Sequence, residues 1–157
     1  MLLAVLSIFV GAAIAPLLVR WTGRVAGWIL GLLPLGVFVF LVRQLPQVAH
    51  GHPIRESVEW LPSFNAPLSF YLDGLSLLFA LLVTGIGTLI VVYAGGYLAH
   101  HDHLGRFYVQ LLSFMGAMLG LVVADNVYLF FIFFELTSLT SYLLIGFYHQ
   151  DEDSRVA

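Results

Sequence analysis

The feature that most constrains this chain is a series of five apolar segments, each long enough to cross a lipid bilayer. A hydrocarbon core of about 30 Å takes about 20 residues in a helix. Because lipid offers no hydrogen-bond partners, a single segment that crosses it must satisfy its own backbone as a helix. The sequence therefore predicts an all-α membrane protein of about five transmembrane helices. The predicted segments are Leu2–Val19, Val25–Val42, Gly74–Ala99, Phe107–Ala124 and Val127–Tyr148.

Composition supports the membrane class and excludes several others. Of the 157 residues, 61% are hydrophobic, and nine acidic and six basic residues are too few to cover a soluble domain. No basic run suits nucleic acid. There is no cysteine, which excludes disulfides, thiolate nucleophiles and iron–sulfur clusters. We therefore predict a multi-pass protein of the cell membrane with the lipid bilayer as a partner, no nucleic-acid partner and no cofactor.

We predict that the first apolar segment is a transmembrane helix that stays in the protein, although its composition resembles a secretory signal peptide. The stretch "AIA" at 13–15 looks like a cleavage motif. However, no basic residue precedes the segment, since the first arginine is Arg20, and Pro16 would directly follow the cut. These two departures favour a transmembrane helix.

The spacing of the segments divides the chain into four parts. The link "RWTGR" at 20–24 is short, so the first two helices form an antiparallel hairpin. The only substantial extramembrane region before the carboxyl end follows the second helix. The predicted parts are a helical hairpin at 1–42, an extracytoplasmic cap at 43–72, three transmembrane helices at 73–149 and a cytoplasmic tail at 150–157.

The cap contains two short alternating stretches, Ser57–Trp60 and Leu68–Leu72, among several prolines. Alternation bounded by proline predicts a small β-hairpin or an extended segment on the membrane surface. Aromatic side chains are enriched at the headgroup level of bilayers. The aromatic residues that we assign to that level are Trp60, Phe64, Phe70 and Tyr71.

The distribution of arginine predicts the orientation. The positive-inside rule places the side with more arginine in the cytoplasm. This puts the amino terminus outside and residue 157 in the cytoplasm. Four arginines fall on the predicted cytoplasmic side and two on the other: Arg20, Arg24, Arg106 and Arg155 against Arg43 and Arg55.

Small residues recur in several segments at spacings that allow close helix packing. Gly27 and Gly31 lie in the second segment, and Gly116 and Gly120 lie in the fourth. Such spacings let helix backbones approach one another in lipid. They predict bundle packing and carry no information on chemistry.

The fifth segment contains the one carboxylate that lies deep inside an apolar run. Glu135 follows Asn126 by nine residues, or roughly 14 Å at the helical rise of 1.5 Å per residue. This places it near the bilayer midplane, where an acidic residue costs roughly 3 kcal/mol on insertion scales. We expect its side chain to face the bundle interior. Tyr128, Ser138, Tyr142 and His149 share this predicted face. Phe131 and Leu139 lie on it as well, so the face is mixed rather than purely polar.

Two interpretations of Glu135 remain open from the residues alone. A buried carboxyl has a raised pKa that a nearby cation lowers again, so it can load and release a proton. Alternatively, it is a static hydrogen-bonding strut between helices. Ser138 and Tyr142 would bond to it or hold water in either case. Ionisable residues inside membranes are functional by default, which favours the proton site.

The remaining polar residues have structural explanations. Asp73 precedes the third helix and Asp125–Asn126 precedes the fifth, where either residue could cap. We assign Asp73 and Asp125 as the structural caps. The stretch "HHDH" at 100–103 lacks the i, i+4 spacing of a helical zinc site and no cysteine joins it. It is best interpreted as a solvated loop, and we predict no metal site.

Several stretches also carry a family resemblance. "WLPSF" at 60–64, "DGLSLLF" at 73–79 and "ELTSLTSYLLIGF" at 135–147 resemble the amino-terminal part of antiporter-like membrane subunits. The resemblance extends from about Trp60 to Phe147. This group includes the A subunit of Mrp-type multisubunit cation/proton antiporters and the related proton-pumping subunits of respiratory complex I. "LTSLTS" at 136–141 and "FMGAMLG" at 114–120 favour the Mrp type. Phe134 departs from the tryptophan usual in both branches.

The resemblance implies a function and partners. Glu135 matches the family's fifth-helix glutamate, which pairs with a lysine on a later helix and takes part in proton movement, exchanged against sodium in the Mrp type. The chain contains no lysine, so we expect it to be the amino-terminal piece of a longer transporter subunit, or a truncated product, that assembles with other membrane subunits. Alternatives are a pumping subunit of complex I, an NADH:quinone oxidoreductase, or of a related membrane hydrogenase, and a non-pumping structural scaffold.

Overall fold

Five helices form where the apolar segments predict them in a computed structural model that describes residues 1–61, 66–98 and 103–147. Each helix is long and apolar enough to cross a membrane. A short 3₁₀ turn, Gly23–Val25, joins the first two helices, as expected for a helical hairpin. The helices are α1 at Leu2–Thr22, α2 at Ala26–Ala49, α3 at Gly74–Tyr97, α4 at Leu104–Val122 and α5 at Val127–Ile145.

Helix α2 continues well past the predicted end at Val42. The predicted end was placed where the apolar run stops, but backbone geometry ends the helix later. Gly51 has a φ of 80°, a left-handed conformation that glycine adopts without strain. Its N–H donates to the Val48 carbonyl at 3.0 Å, and the His52 N–H donates to the Gln47 carbonyl at 3.2 Å. This is the hydrogen-bond pattern of a Schellman motif.

The region between α2 and α3 contains the predicted β-hairpin. β1 at Ile54–Leu61 pairs with β2 at Ala66–Leu72 in antiparallel register, with Ile54 opposite Leu72 and Ser57 opposite Ser69. Both strands are longer than the alternating stretches that predicted them.

One aromatic assignment for this hairpin is wrong. Phe70 is only 1% exposed and belongs to the buried core of the helix bundle, so its ring does not reach the headgroup level. Tyr71 is partly exposed, and the Arg55 guanidinium lies 5.2 Å from its ring centroid. The side chains of Trp60 and Phe64 lie outside the described part of the chain.

Helix α4 is the centre of the bundle and packs against α1, α3 and α5. Glycines allow several of the close approaches. Phe9 of α1 lies against Gly116, and Phe133 of α5 lies against Gly120. Between α2 and α3, a Cβ on Gly27 would lie 3.0 Å from the Cα of Gly95. The close packing predicted from glycine spacing is present at all three positions.

The hairpin, the amino terminus and the start of α5 lie at the same end of the bundle. The amino group of Met1 contacts the Glu56 carboxylate in β1. The Tyr71 N–H in β2 donates to the Val123 carbonyl at 2.8 Å, just before α5 begins. Which of the two ends faces the cytoplasm stays a prediction from the arginine distribution.

Candidate functional site

Glu135 lies in the middle of the 19-residue helix α5. It lies eight positions after Val127, the first residue of the helix, which corresponds to about 12 Å along the axis. The helix is about 28 Å long at the same rise, close to the thickness of a hydrocarbon core. The side chain is therefore near the midplane if α5 spans the membrane.

The polar face of α5 is exposed in the described part of the molecule. Glu135 and Ser138 are exposed, and Tyr128 and Tyr142 are 68% and 75% exposed. The opposite side of the helix packs against α4 through buried residues such as Phe133. The expected shared face is present, but α1 to α4 do not cover it. A helical wheel groups residues by direction and contains no information on what lies in that direction.

The Glu135 carboxylate has no hydrogen-bond or ion-pair partner among the residues that the structure describes. The same holds within these ranges for the hydroxyls of Ser138 and Tyr142. The expected bonds from these hydroxyls to Glu135 are therefore not formed by this chain. His149, the last residue assigned to this face, lies outside the described residues.

The hydroxyls on the packed side of α5 are occupied by their own helix. Thr137 donates to the Phe133 carbonyl at 2.8 Å, and Thr140 donates to the Leu136 carbonyl at 2.7 Å. Such bonds to the preceding turn are common for threonine in helices. The polar groups of α5 without a described hydrogen-bond partner, such as Glu135 and Ser138, therefore lie on the exposed face.

Asp73 caps α3, at the position predicted for it. Its carboxylate accepts a hydrogen bond from the Ser76 N–H at 2.8 Å. This bond, from the backbone of Ser76, lowers the pKa of Asp73 below its usual value because it stabilises the charged form. The side chain thus stabilises the first turn of α3.

The predicted cap at Asp125 is wrong, since the neighbouring Asn126 caps α5. The Asn126 Oδ1 accepts a hydrogen bond from the Leu129 N–H at 2.7 Å. The Asp125 N–H is bonded to the Ser69 carbonyl at 3.0 Å, which keeps this residue in an extended link one position before the cap. Its carboxylate instead pairs with the Arg55 guanidinium at 3.0 Å.

A link between the hairpin and α5 was not predicted from the sequence. Besides capping α5, the Asn126 amide donates from Nδ2 to the Pro67 carbonyl at 2.7 Å and to Ser69 Oγ at 3.2 Å. The only signal in the sequence was the pair of capping residues at 125–126. Their partners in β2 are distant in sequence and become neighbours only in the folded chain.

Comparisons with known proteins agree with this architecture. The family model described as "NADH-Ubiquinone oxidoreductase (complex I), chain 5 N-terminus" matches residues 60–108. The Na(+)/H(+) antiporter subunit A1 of Staphylococcus aureus is 41% identical over 153 residues, which cover 97% of this chain and 19% of that protein. The chain thus spans about a fifth of the length of the curated relatives that it matches.

Solved structures show the same fold. A chain of the Mrp complex from Dietzia sp. DQ12-45-1b superposes with a TM-score of 0.80 at 38% identity, covering 91% of this chain and 15% of that chain. The membrane-bound sulfane sulfur reductase, an archaeal respiratory membrane complex, superposes with a TM-score of 0.71 at 23% identity, covering 90% of this chain and 22% of that one. The second match shows likeness of fold alone. Together these matches confirm the resemblance drawn from the sequence: the chain is similar, over nearly its whole length, to the amino-terminal region of the A subunit of Mrp-type cation/proton antiporters.

Proposed function

We propose that this chain is the amino-terminal part of an ion-translocating subunit of a multisubunit Na⁺/H⁺ antiporter, and that Glu135 is its intramembrane proton site. The observation that carries the proposal is the position of Glu135. It is a carboxylate at mid-helix, on a face of α5 that the other described helices leave uncovered. The subunit is a transporter component rather than an enzyme.

The energetics of a lipid-exposed carboxylate support a protein cover for this face. An acidic side chain at the midplane costs roughly 3 kcal/mol on insertion scales, and such residues face bundle interiors or water-filled cavities. The two tyrosines and the serine beside Glu135 are also better suited to a polar interior than to lipid tails. Since the relatives are about five times longer than this chain, further helices of the same subunit are the proposed cover.

The proposed chemistry is reversible protonation. Without a partner, a carboxyl in an apolar setting is favoured in its neutral form. A cation brought within about 4–6 Å favours the charged form and releases the proton. In the family this cation is a lysine on a later helix, and this chain contains no lysine. Movement of that partner toward and away from Glu135 would load and unload the proton in exchange for Na⁺.

The proposed partners follow from the same relatives. The Dietzia structure is that of a multisubunit Mrp complex, so we propose that other membrane subunits surround this chain. The amino terminus and the hairpin are proposed to face outward, with the ends of α3 and α5 toward the cytoplasm, in line with the arginine distribution.

A proton-pumping subunit of a respiratory complex is the second candidate, because the matching family model is described by complex I. The antiporter is favoured by the 41% and 38% identities over nearly the whole chain. Exchange in membrane vesicles separates the two. Proton movement driven by Na⁺ alone supports the antiporter, and movement that requires an electron donor supports the respiratory subunit.

Replacement of Glu135 tests the proton site. Glu135→Gln in the full-length subunit, assembled with its partners in everted vesicles, is expected to abolish Na⁺-driven proton exchange because the amide cannot carry the proton. Glu59→Gln is the matched control, since Glu59 is exposed on β1 outside the helices. Co-purification of the partner subunits measures assembly.

An assembled Glu135→Gln complex that exchanges at the wild-type rate would show that the carboxylate is a strut or that the chain is a scaffold. Loss of exchange together with loss of assembly would also support a structural role. Loss of exchange in a fully assembled complex supports the proton site.

A further inference from the structure

We propose that Asn126 is a positioning residue for Glu135, because it fixes helix α5 to the β-hairpin and so sets the depth and rotation of the carboxylate. The inference rests on the proposed role of Glu135 as a proton site. It assigns a role in proton transfer to a residue that lies just before the helix. In this proposal the β-hairpin is the fixed element to which the start of α5 is bonded.

The first observation is that the Asn126 side chain uses both of its polar atoms on different elements. Oδ1 accepts from the Leu129 N–H at 2.7 Å and holds the first turn of α5. Nδ2 donates to the Pro67 carbonyl at 2.7 Å and to Ser69 Oγ at 3.2 Å, both in β2. An amide has an acceptor and two donors on one rigid plane, whereas a carboxylate has acceptors only. The cap alone does not require asparagine, but the cap with the link to β2 does.

The second observation is that the backbone just before Asn126 is bonded to β2. The Tyr71 N–H donates to the Val123 carbonyl at 2.8 Å, and the Asp125 N–H donates to the Ser69 carbonyl at 3.0 Å. Phe70 and Ala124 form an isolated antiparallel bridge. The link before α5 is therefore held against β2 by its backbone, and Asn126 is the residue at which this link passes into the helix.

The third observation is that α5 packs mainly on one side. It is the least buried of the five described helices, and its helix packing is mainly against α4. A shift of one residue along α5 would move Glu135 by about 1.5 Å and rotate it by about 100°. Reacting groups misplaced by about 1 Å lose up to about a hundredfold in rate. The anchor at Asn126 therefore bears directly on the position of the carboxylate.

Two substitutions of Asn126 separate the link from the cap. Aspartate caps helices about as well as asparagine but cannot donate to the Pro67 carbonyl, so Asn126→Asp breaks the link at Pro67 while it keeps the cap. Asn126→Ala removes both. Asp73→Ala is the matched control, since it removes the corresponding cap bond from α3, which does not carry Glu135. All are made in the full-length subunit within its assembled complex.

The measurement is Na⁺-driven proton exchange in vesicles as a function of pH. We expect Asn126→Asp and Asn126→Ala to lower exchange about tenfold at the wild-type optimum and to shift the midpoint of the pH profile. Asp73→Ala is expected to leave that midpoint unchanged. Hydrogen exchange at the Tyr71 and Asp125 amides should become faster in Asn126→Asp, which reports loss of the link independently of transport.

Each opposing result has a distinct meaning. Exchange that survives in Glu135→Gln defeats the proposed function and with it the positioning role. If Glu135→Gln is inactive but Asn126→Asp keeps the wild-type pH profile, the proton site stands and the positioning role is wrong. A pH shift of equal size in Asp73→Ala also overturns it, because loss of any helix cap would then have the same effect.

Discussion

Helices α4 and α5 are neighbours of equal length that differ strongly in how much of their surface is buried. Each has 19 residues. Within the apolar 18-residue stretch of each helix, half of the residues are buried in α4 and 17% in α5. Helix α4 buries even its one amide, Gln110, at 6% exposure, whereas α5 exposes a carboxylate.

The difference follows from what each helix can pack against. Helix α4 has partners on three sides, and its glycines at 116 and 120 admit aromatic rings from α1 and α5. Helix α5 has no glycine within its span and is packed mainly on one side. The exposed side of α5 combines large apolar residues such as Phe131 and Leu139 with the Glu135 carboxylate. Because a carboxylate is costly in lipid, this side is better suited to contact with further protein. Within the described residues, we therefore interpret α4 as the centre of the bundle and α5 as its edge, where the proposed function places further protein.

The largest expected effect is a contrast between two leucines. Leu112 in α4 is 0% exposed and Leu139 in α5 is 56% exposed. Leu112→Ala should lower the free energy of unfolding of this chain in detergent micelles by about 2 to 3 kcal/mol, because it leaves a cavity. Leu139→Ala should change it by less than about 0.5 kcal/mol, since surface changes rarely cost more. Denaturant unfolding followed by circular dichroism measures both.

The same two substitutions, made in the assembled full-length complex, test whether α5 is covered there by other protein. There, Leu139→Ala should become destabilising if protein covers the Glu135 face, and the complex should dissociate or melt earlier. An unchanged melting temperature for Leu139→Ala in the complex would place that face against lipid. It would then contradict the interpretation of α5 as a boundary to further helices.

The next effect concerns two glycines and has opposite signs. A Cβ on Gly120 would overlap the buried ring of Phe133 at the α4–α5 contact, whereas one on Gly96 in α3 meets nothing within 4 Å. Gly120→Ala should lower the unfolding free energy by about 1 to 2 kcal/mol through overpacking. Gly96→Ala should raise it by about 0.5 kcal/mol because alanine favours helix. Equal effects of the two substitutions would mean that α5 does not rest on Gly120.

Much of the fold could be predicted from the sequence because the bilayer limits the possible structures. Segment length predicted all five helices, and alternation between prolines predicted the hairpin. The end of α2 was missed because it is set by the left-handed backbone at Gly51 and not by hydrophobicity. The buried position of Phe70 was missed because it packs in a core whose other members are distant in sequence.

The candidate site was predicted less completely. Glu135 stands out because a carboxylate in an apolar run is costly, and the helical wheel grouped Tyr128, Ser138 and Tyr142 with it. Neither signal contains information on what lies against this face, which α1 to α4 leave uncovered. The choice between Asp125 and Asn126 as cap depends on hydrogen bonds to β2, which local propensity does not contain.

The smallest expected effect separates the cap of α3 from the cap of α5 by pH. Asp73 has a pKa below the ordinary value of 3.8, because the Ser76 N–H stabilises its charged form. A lowered pKa in the folded state contributes stability that is present above about pH 4 and is lost as the pH falls through the folded value. The Asn126 cap of α5 has no such dependence, because an amide does not titrate there.

The unfolding free energy of the chain should therefore decrease in acid more for wild type than for Asp73→Asn, which keeps a neutral cap. Asn126→Asp should add a second acid-sensitive cap and steepen the decrease. Parallel pH profiles for wild type and Asp73→Asn would mean that the α3 cap contributes no acid sensitivity and that the two helix starts are equivalent in this respect.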